Sequence, residues 1–145
     1  ILASYGHDVT MLERSKTVYL LVKDALKRAE QDPELKPVVA RLTLHHWDST
    51  RPFLPAIGFD AALVDPMFHE KKKSALPPGN MQMLQAFLGR GAELQPFLTV
   101  AQELGIRRTI VKRPRLDRAP LVNAYRPVYQ LTGRSSRLDV FFNQV

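Results

Sequence analysis

The chain has 145 residues, 21 Lys and Arg against 14 Asp and Glu, a formal charge of +7, and no cysteine. Disulfides, thiolate zinc sites and cysteine nucleophiles are therefore excluded, and the positive balance favours a polyanionic partner, nucleic acid ahead of an anionic membrane surface. The length suits one compact domain, and without an apolar run near the roughly 20 residues of a membrane span, or the layout of a secretory signal, a soluble cytoplasmic protein is expected.

Residues 7–12, HDVTML, are β-branched and follow Gly6, which predicts a strand after a turn. Ser15 is placed to cap a helix whose apolar stripe is Val18, Leu21, Val22, Ala25, Leu26 and Ala29, with Lys23, Lys27 and Arg28 off it. Asp32-Pro33 breaks the pattern, a short helical piece spans 35–40, and RLTLHHW, 41–47, reads as the next strand. FDAALV, 59–64, is a nearly continuous apolar run of the kind buried on both faces of a parallel sheet. Helices are expected over 81–88 and 93–104, stopped by Gly89 and Gly105. A strand over 108–111, a Pro- and Arg-rich loop over 113–126, and a closing antiparallel pair over 129–131 and 138–142 complete the chain.

Strands alternating with helices give an α/β fold with a mostly parallel sheet, and such sheets bind ligands beyond the C-terminal ends of their strands. Glu13, Asp48 with Ser49, Asp65 to Phe68, and Lys112 to Pro114 each follow a predicted strand. Glu13 can hold a ribose through its hydroxyls, or serve only as an acid favoured by a helix N-terminus. The glycine-rich turn that accompanies a ribose-binding acid lies roughly 20 residues ahead of it. Here it would precede Ile1, so an upstream segment is expected.

Asp48-Ser49 alone suits a cap or turn. His45 and His46 are neighbours on a strand and point to opposite faces, with no well-spaced third ligand, so no metal is expected. Asp65-Pro66-Met67-Phe68 is the strongest local signal. It is either a strand-ending turn or a corner for a nucleobase, with a carboxylate and carbonyls accepting from an exocyclic amine and Phe68 against the ring. Lys71, Lys72 and Lys73 are either a solvated face or a phosphate grip just beyond that corner. Lys112, Arg113, Arg115 and Arg118 would enlarge the same positive rim.

The ordered set VTMLERS, LHHWDS, LVDPMFHEKKKSAL, TIVKRP and RLDVFF resembles the bacterial 16S ribosomal RNA guanine-N2 methyltransferases, which have the class I S-adenosylmethionine-dependent fold. The resemblance covers most of the chain and implies a partial methyltransferase domain over 1–145. It implies a Rossmann-like sheet whose central first strand and Gly-rich turn are absent here. It further implies S-adenosyl-L-methionine as cofactor, 16S ribosomal RNA or the small ribosomal subunit as partner, and no membrane or metal. By the same resemblance, Glu13, Arg14, Asp48, Ser49 and Asp65 are cofactor-binding, and Asp65, Pro66 and Phe68 catalytic. Lys71, Lys72, Lys73, Lys112 and Arg113 are left to hold RNA. Two departures stand out: His69 where the family usually has proline after DPMF, and Pro77-Pro78-Gly79 in place of a more helical, basic stretch. A noncatalytic basic nucleic-acid-binding module is the alternative; a nicotinamide-dependent oxidoreductase shares the fold but leaves DPMF beside three lysines unexplained.

Replacing Lys71 to Lys73 with Ala should weaken RNA binding and flatten its dependence on salt, since three phosphate contacts contribute a log-log slope of roughly −2 on single strands. Titrations at several salt concentrations measure this, and an unaltered slope would make the run a solvated face.

Overall fold

The computed structural model describes residues 1–53, 55, 58–65, 94–117 and 126–143. They fall into two compact units, Ile1–Ser49 and Thr50–Val145.

In the first unit a 3-10 turn, Ala3–Tyr5, leads through Gly6 into strand β1, Val9–Glu13. Helix α1, Lys16–Ala29, follows after Ser15, whose Oγ accepts from the Val18 amide at 3.4 Å as the expected cap. The Asp32 carboxylate accepts from the Glu34 amide at 2.8 Å and forms the turn that the Asp-Pro break predicted. Helix α2, Lys36–Val39, and strand β2, Leu42–His46, complete the unit. β1 and β2 are parallel, in register from Val9 with Leu42 to Glu13 with His46. Val18, Val22, Leu26 and Ala29 are half-covered, whereas Leu21 and Ala25 are exposed, so the contacting stripe of α1 is narrower than the periodicity predicts.

The second unit is a four-stranded sheet in the order β3, β4, β6, β5, formed by Ala61–Val64, Arg108–Pro114, Ser136–Phe142 and Tyr129–Thr132 respectively. β3 and β4 are parallel; β4 with β6 and β5 with β6 are antiparallel. The expected closing pair is therefore present. β4 runs three residues further than predicted, to Pro114, because β6 pairs with it down to Ser136. Helix α3, Leu94–Glu103, crosses between β3 and β4. It ends as Gly105 predicted. Gly105 takes φ +66°, its amide donates to Gln102 O and that of Ile106 donates to Ala101 O, so the last carbonyls of the helix are satisfied.

Leu98 of α3 packs with Val111 and Phe141, and Leu94 and Val64 border that cluster. These strand residues share one face of the sheet. On the other face Leu63 is 54% exposed, so β3 is not buried on both faces among the described residues. The predicted helix over 81–88 and its Gly89 stop lie outside the described residues.

The core of this unit also holds charge. Asp139, 0% exposed, accepts from Arg113 Nη1 at 3.4 Å, Arg137 Nε at 2.8 Å and Gln130 Nε2 at 2.8 Å. Arg113 Nε and Nη2 also donate to Asp117 at 3.0 and 2.8 Å. Arg137 Nη1 donates to the carbonyls of Arg115 and Asp117 at 3.0 and 2.8 Å, pinning the chain that leaves β4. Removing one partner of a buried ion pair leaves the others desolvated and uncompensated. Asp139→Asn should therefore lower stability by about 3 kcal/mol or more, read as the urea midpoint of unfolding. An unchanged midpoint would show that the network contributes nothing.

Candidate functional site

In the first unit the parallel register brings the C-terminal ends of β1 and β2 side by side. The Trp47 amide donates to Glu13 O at 3.0 Å, carrying the ladder one step beyond His46. Glu13 and Arg14 therefore leave one strand next to where Asp48 and Ser49 leave the other. Glu13 Oε1 accepts the Ser15 amide at 2.6 Å. The plain helix-terminal role is thus realised, and among the described residues the second carboxylate oxygen accepts no hydrogen bond. Arg14 is exposed, and its carbonyl lies 3.1 Å from His46 Nε2, a hydrogen bond that requires the Nε2–H form. The His46 ring also leans on Tyr19, with centroids 5.3 Å apart, and Lys23 Nζ lies 5.8 Å from the Tyr19 centroid. These contacts tie α1 to the end of β2. Asp48 and Ser49 are half-buried.

In the second unit Asp65 follows the last residue of β3, and Lys112 follows Val111, the partner of Val64. Lys112 Nζ donates to Asp65 Oδ2 at 2.8 Å, and the two side chains are 47% and 59% exposed. The structure thus brings together two residues assigned to separate tasks. Pro66, Phe68, Lys71, Lys72 and Lys73 lie outside the described residues, as does Arg118.

Arg113 corrects an expectation. Along β4 alternate residues point to opposite faces, and Thr109, Val111 and Arg113 take the buried one. Arg113 is 4% exposed and its guanidinium is committed to Asp117 and Asp139. It holds the sheet together and does not belong to an exposed rim. Asp139, Arg137 and Gln130 were not singled out from the sequence, although one signal was there: in RLDVFF an aspartate stands among four apolar residues, and on a strand covered on both faces such an acid needs a cationic partner.

The SAM-dependent methyltransferase family profile matches residues 1–143. The chain belongs to that family. S-adenosyl-L-methionine is the cofactor of that family, and the first unit offers an acceptor of the right chemistry for a ribose diol: a carboxylate fixed through one oxygen at a strand end, with a second acid, Asp48, just past the end of the adjacent strand.

Among curated proteins the chain is 34% identical over 150 residues to ribosomal RNA small subunit methyltransferase J of Pseudomonas aeruginosa PAO1, covering 97% of this chain and 54% of that protein. The protein of the same name in Rhodopseudomonas palustris BisB5 is 37% identical over 145 residues, covering 99% and 64%. The chain thus spans about half to two thirds of the length of these two relatives. Among solved structures, a SAM-dependent methyltransferase of Neisseria gonorrhoeae superposes with a TM-score of 0.70 at 32% identity, covering 97% of this chain and 55% of that one. These similarities agree with the mixed sheet, parallel through β3 and β4 and antiparallel at its C-terminal strands.

Glu13→Ala should weaken binding of S-adenosylhomocysteine to the native gene product by roughly tenfold or more, the scale of hydrogen bonds made to a charged acceptor. Calorimetric titration measures it, with the Asp139 network as a fold control. Unchanged affinity would leave Glu13 as a helix-terminal acid only.

Proposed function

We propose that this chain is the part of a ribosomal RNA methyltransferase that carries the target-amine corner, and that the enzyme methylates the exocyclic N2 of a guanine in 16S ribosomal RNA in the cytoplasm. The observation that carries this reading is the similarity, along nearly all of the chain, to proteins named ribosomal RNA small subunit methyltransferase J. The position of Asp65, exposed just past the C-terminal end of a parallel strand, supports it.

Bound S-adenosylmethionine supplies a methyl group on a positively charged sulfur. Glu13, Arg14, Asp48 and Ser49 would hold its nucleoside, and Asp65 is assigned to the target amine. Guanine N2 is a poor nucleophile because its lone pair is delocalised into the ring. Hydrogen bonds from its two N–H groups to the Asp65 carboxylate and the Pro66 carbonyl orient the nitrogen, and Phe68 holds the base plane. Transfer would form an N–C bond as the C–S bond breaks, in line, leaving the sulfur as a neutral thioether. The amine becomes acidic only once alkylated, so its proton would leave late, to Asp65 or to water. Lys71, Lys72 and Lys73 grip the phosphates of an unpaired strand and bring the guanine to the corner.

Asp65→Asn in the native gene product should lower kcat by about 10² or more while the fold is retained, because Asp65 lies at the surface. Transfer of labelled methyl groups to small-subunit RNA, followed by nucleoside analysis, measures rate and product together. Unchanged turnover would remove Asp65 from the mechanism, and a methyl group on any other atom would refute the guanine-N2 assignment.

A further inference from the structure

The pairing of Lys112 with Asp65 asks for a reason that folding does not provide. Both side chains are about half exposed, and ion pairs in that setting add little to stability. The pair is nevertheless closely built. Asp65 and Lys112 continue the parallel register one step past Val64 and Val111, and the ammonium meets Oδ2 at 2.8 Å. Among the described residues Oδ1 accepts no hydrogen bond.

The backbone beneath Lys112 is held as well. Its neighbour Arg113 points to the opposite face and is locked onto Asp117 and Asp139, while Arg137 grips the carbonyls of Arg115 and Asp117. Lysine is a long, flexible side chain, and it positions a partner only when its own root is fixed.

We propose that Lys112 is a positioning residue: its ammonium holds Asp65 Oδ2, so that Oδ1 is the oxygen presented to the target amine. This rests on the reading of Asp65 as the acceptor of that amine. It also assigns Lys112 to the carboxylate in place of an RNA phosphate. An unpaired Asp65 could rotate about χ1 and χ2 and present either oxygen at a range of angles. The Lys112 contact selects one rotamer before the base arrives, and a misplacement of about 1 Å can cost on the order of 10² in rate.

The test compares kcat, the RNA dissociation constant and its salt dependence in the native gene product and four variants: Lys112→Met, Lys112→Arg, Asp65→Asn and the Lys112→Met/Asp65→Asn double variant. The proposal expects Lys112→Met to lower kcat by roughly ten- to a hundredfold with RNA affinity and salt slope unchanged. Lys112→Arg should recover most of that loss, since a guanidinium can reach the same carboxylate. In the Asp65→Asn background, Lys112→Met should change kcat little further, because the residue it acts through is already altered.

If Lys112→Met instead leaves kcat unchanged, raises the RNA dissociation constant and reduces the slope by about 0.7, one single-strand phosphate contact, Lys112 is an RNA contact and the proposal is overturned. Full additivity of the two substitutions overturns it as well, while the Asp65 reading survives. A fully active Asp65→Asn variant is the separate outcome that removes the reading of Asp65 itself, and this proposal with it.

Discussion

A carboxylate with no access to water, Asp139, organises the C-terminal half of the chain. It accepts from two guanidinium groups and an amide: Arg113 on β4, Arg137 beside it on β6, and Gln130 on β5. Three strands are thereby joined by side chains as well as by their ladders. A buried charge is tolerable only when its hydrogen bonds are met, and among the described residues no buried side-chain nitrogen or oxygen lacks a partner. The consequence reaches the surface. With Arg113 locked inward and the carbonyls after β4 gripped by Arg137, the end of β4 is fixed, and Lys112 leaves it in a set direction. Lys112 Nζ in turn donates to Asp65 Oδ2. A network of charge inside the sheet and an exposed pair of charges at its rim thus meet at adjacent residues, Arg113 and Lys112, at one end of β4.

The N-terminal unit follows the same logic with weaker forces. The Trp47 amide on Glu13 O extends the β1–β2 ladder, the Glu13 carboxylate closes the first turn of α1 through the Ser15 amide, and His46 bridges to Arg14 and Tyr19. One oxygen of the Glu13 carboxylate finishes the helix by accepting the Ser15 amide. The helix-terminal and ribose-binding readings of Glu13 are compatible because a carboxylate has two oxygens.

Much of this was legible in the sequence because strand ends in an α/β fold announce themselves. The Asp32-Pro33 break, the Ser15 cap, the Gly105 stop and the closing antiparallel pair all rest on local chemistry and appear where expected. What escaped depends on long-range pairing. Arg113 looked like one more cation in a basic stretch, and only the register of β4 against β6 shows that it faces Asp139. Composition counts charges without saying which are spent inside. Lys112 was read beside Arg113 for the same reason, although alternation along a strand sends neighbours to opposite faces. The full burial expected of β3 failed at Leu63 because an apolar run does not reveal how many faces are covered. The family resemblance, which rests on motifs at strand ends, was unaffected by these errors, and the profile match over residues 1–143 bears it out.

The central claim is that the Asp65 carboxylate receives the amine of a guanine. The most direct measurement is a crystal structure of the native gene product with S-adenosylhomocysteine and an RNA fragment bearing the target base. The account predicts the guanine N2 within about 3 Å of Asp65 Oδ1, with Lys112 still on Oδ2. A base bound elsewhere, or an Asp65 turned away from it, would contradict it.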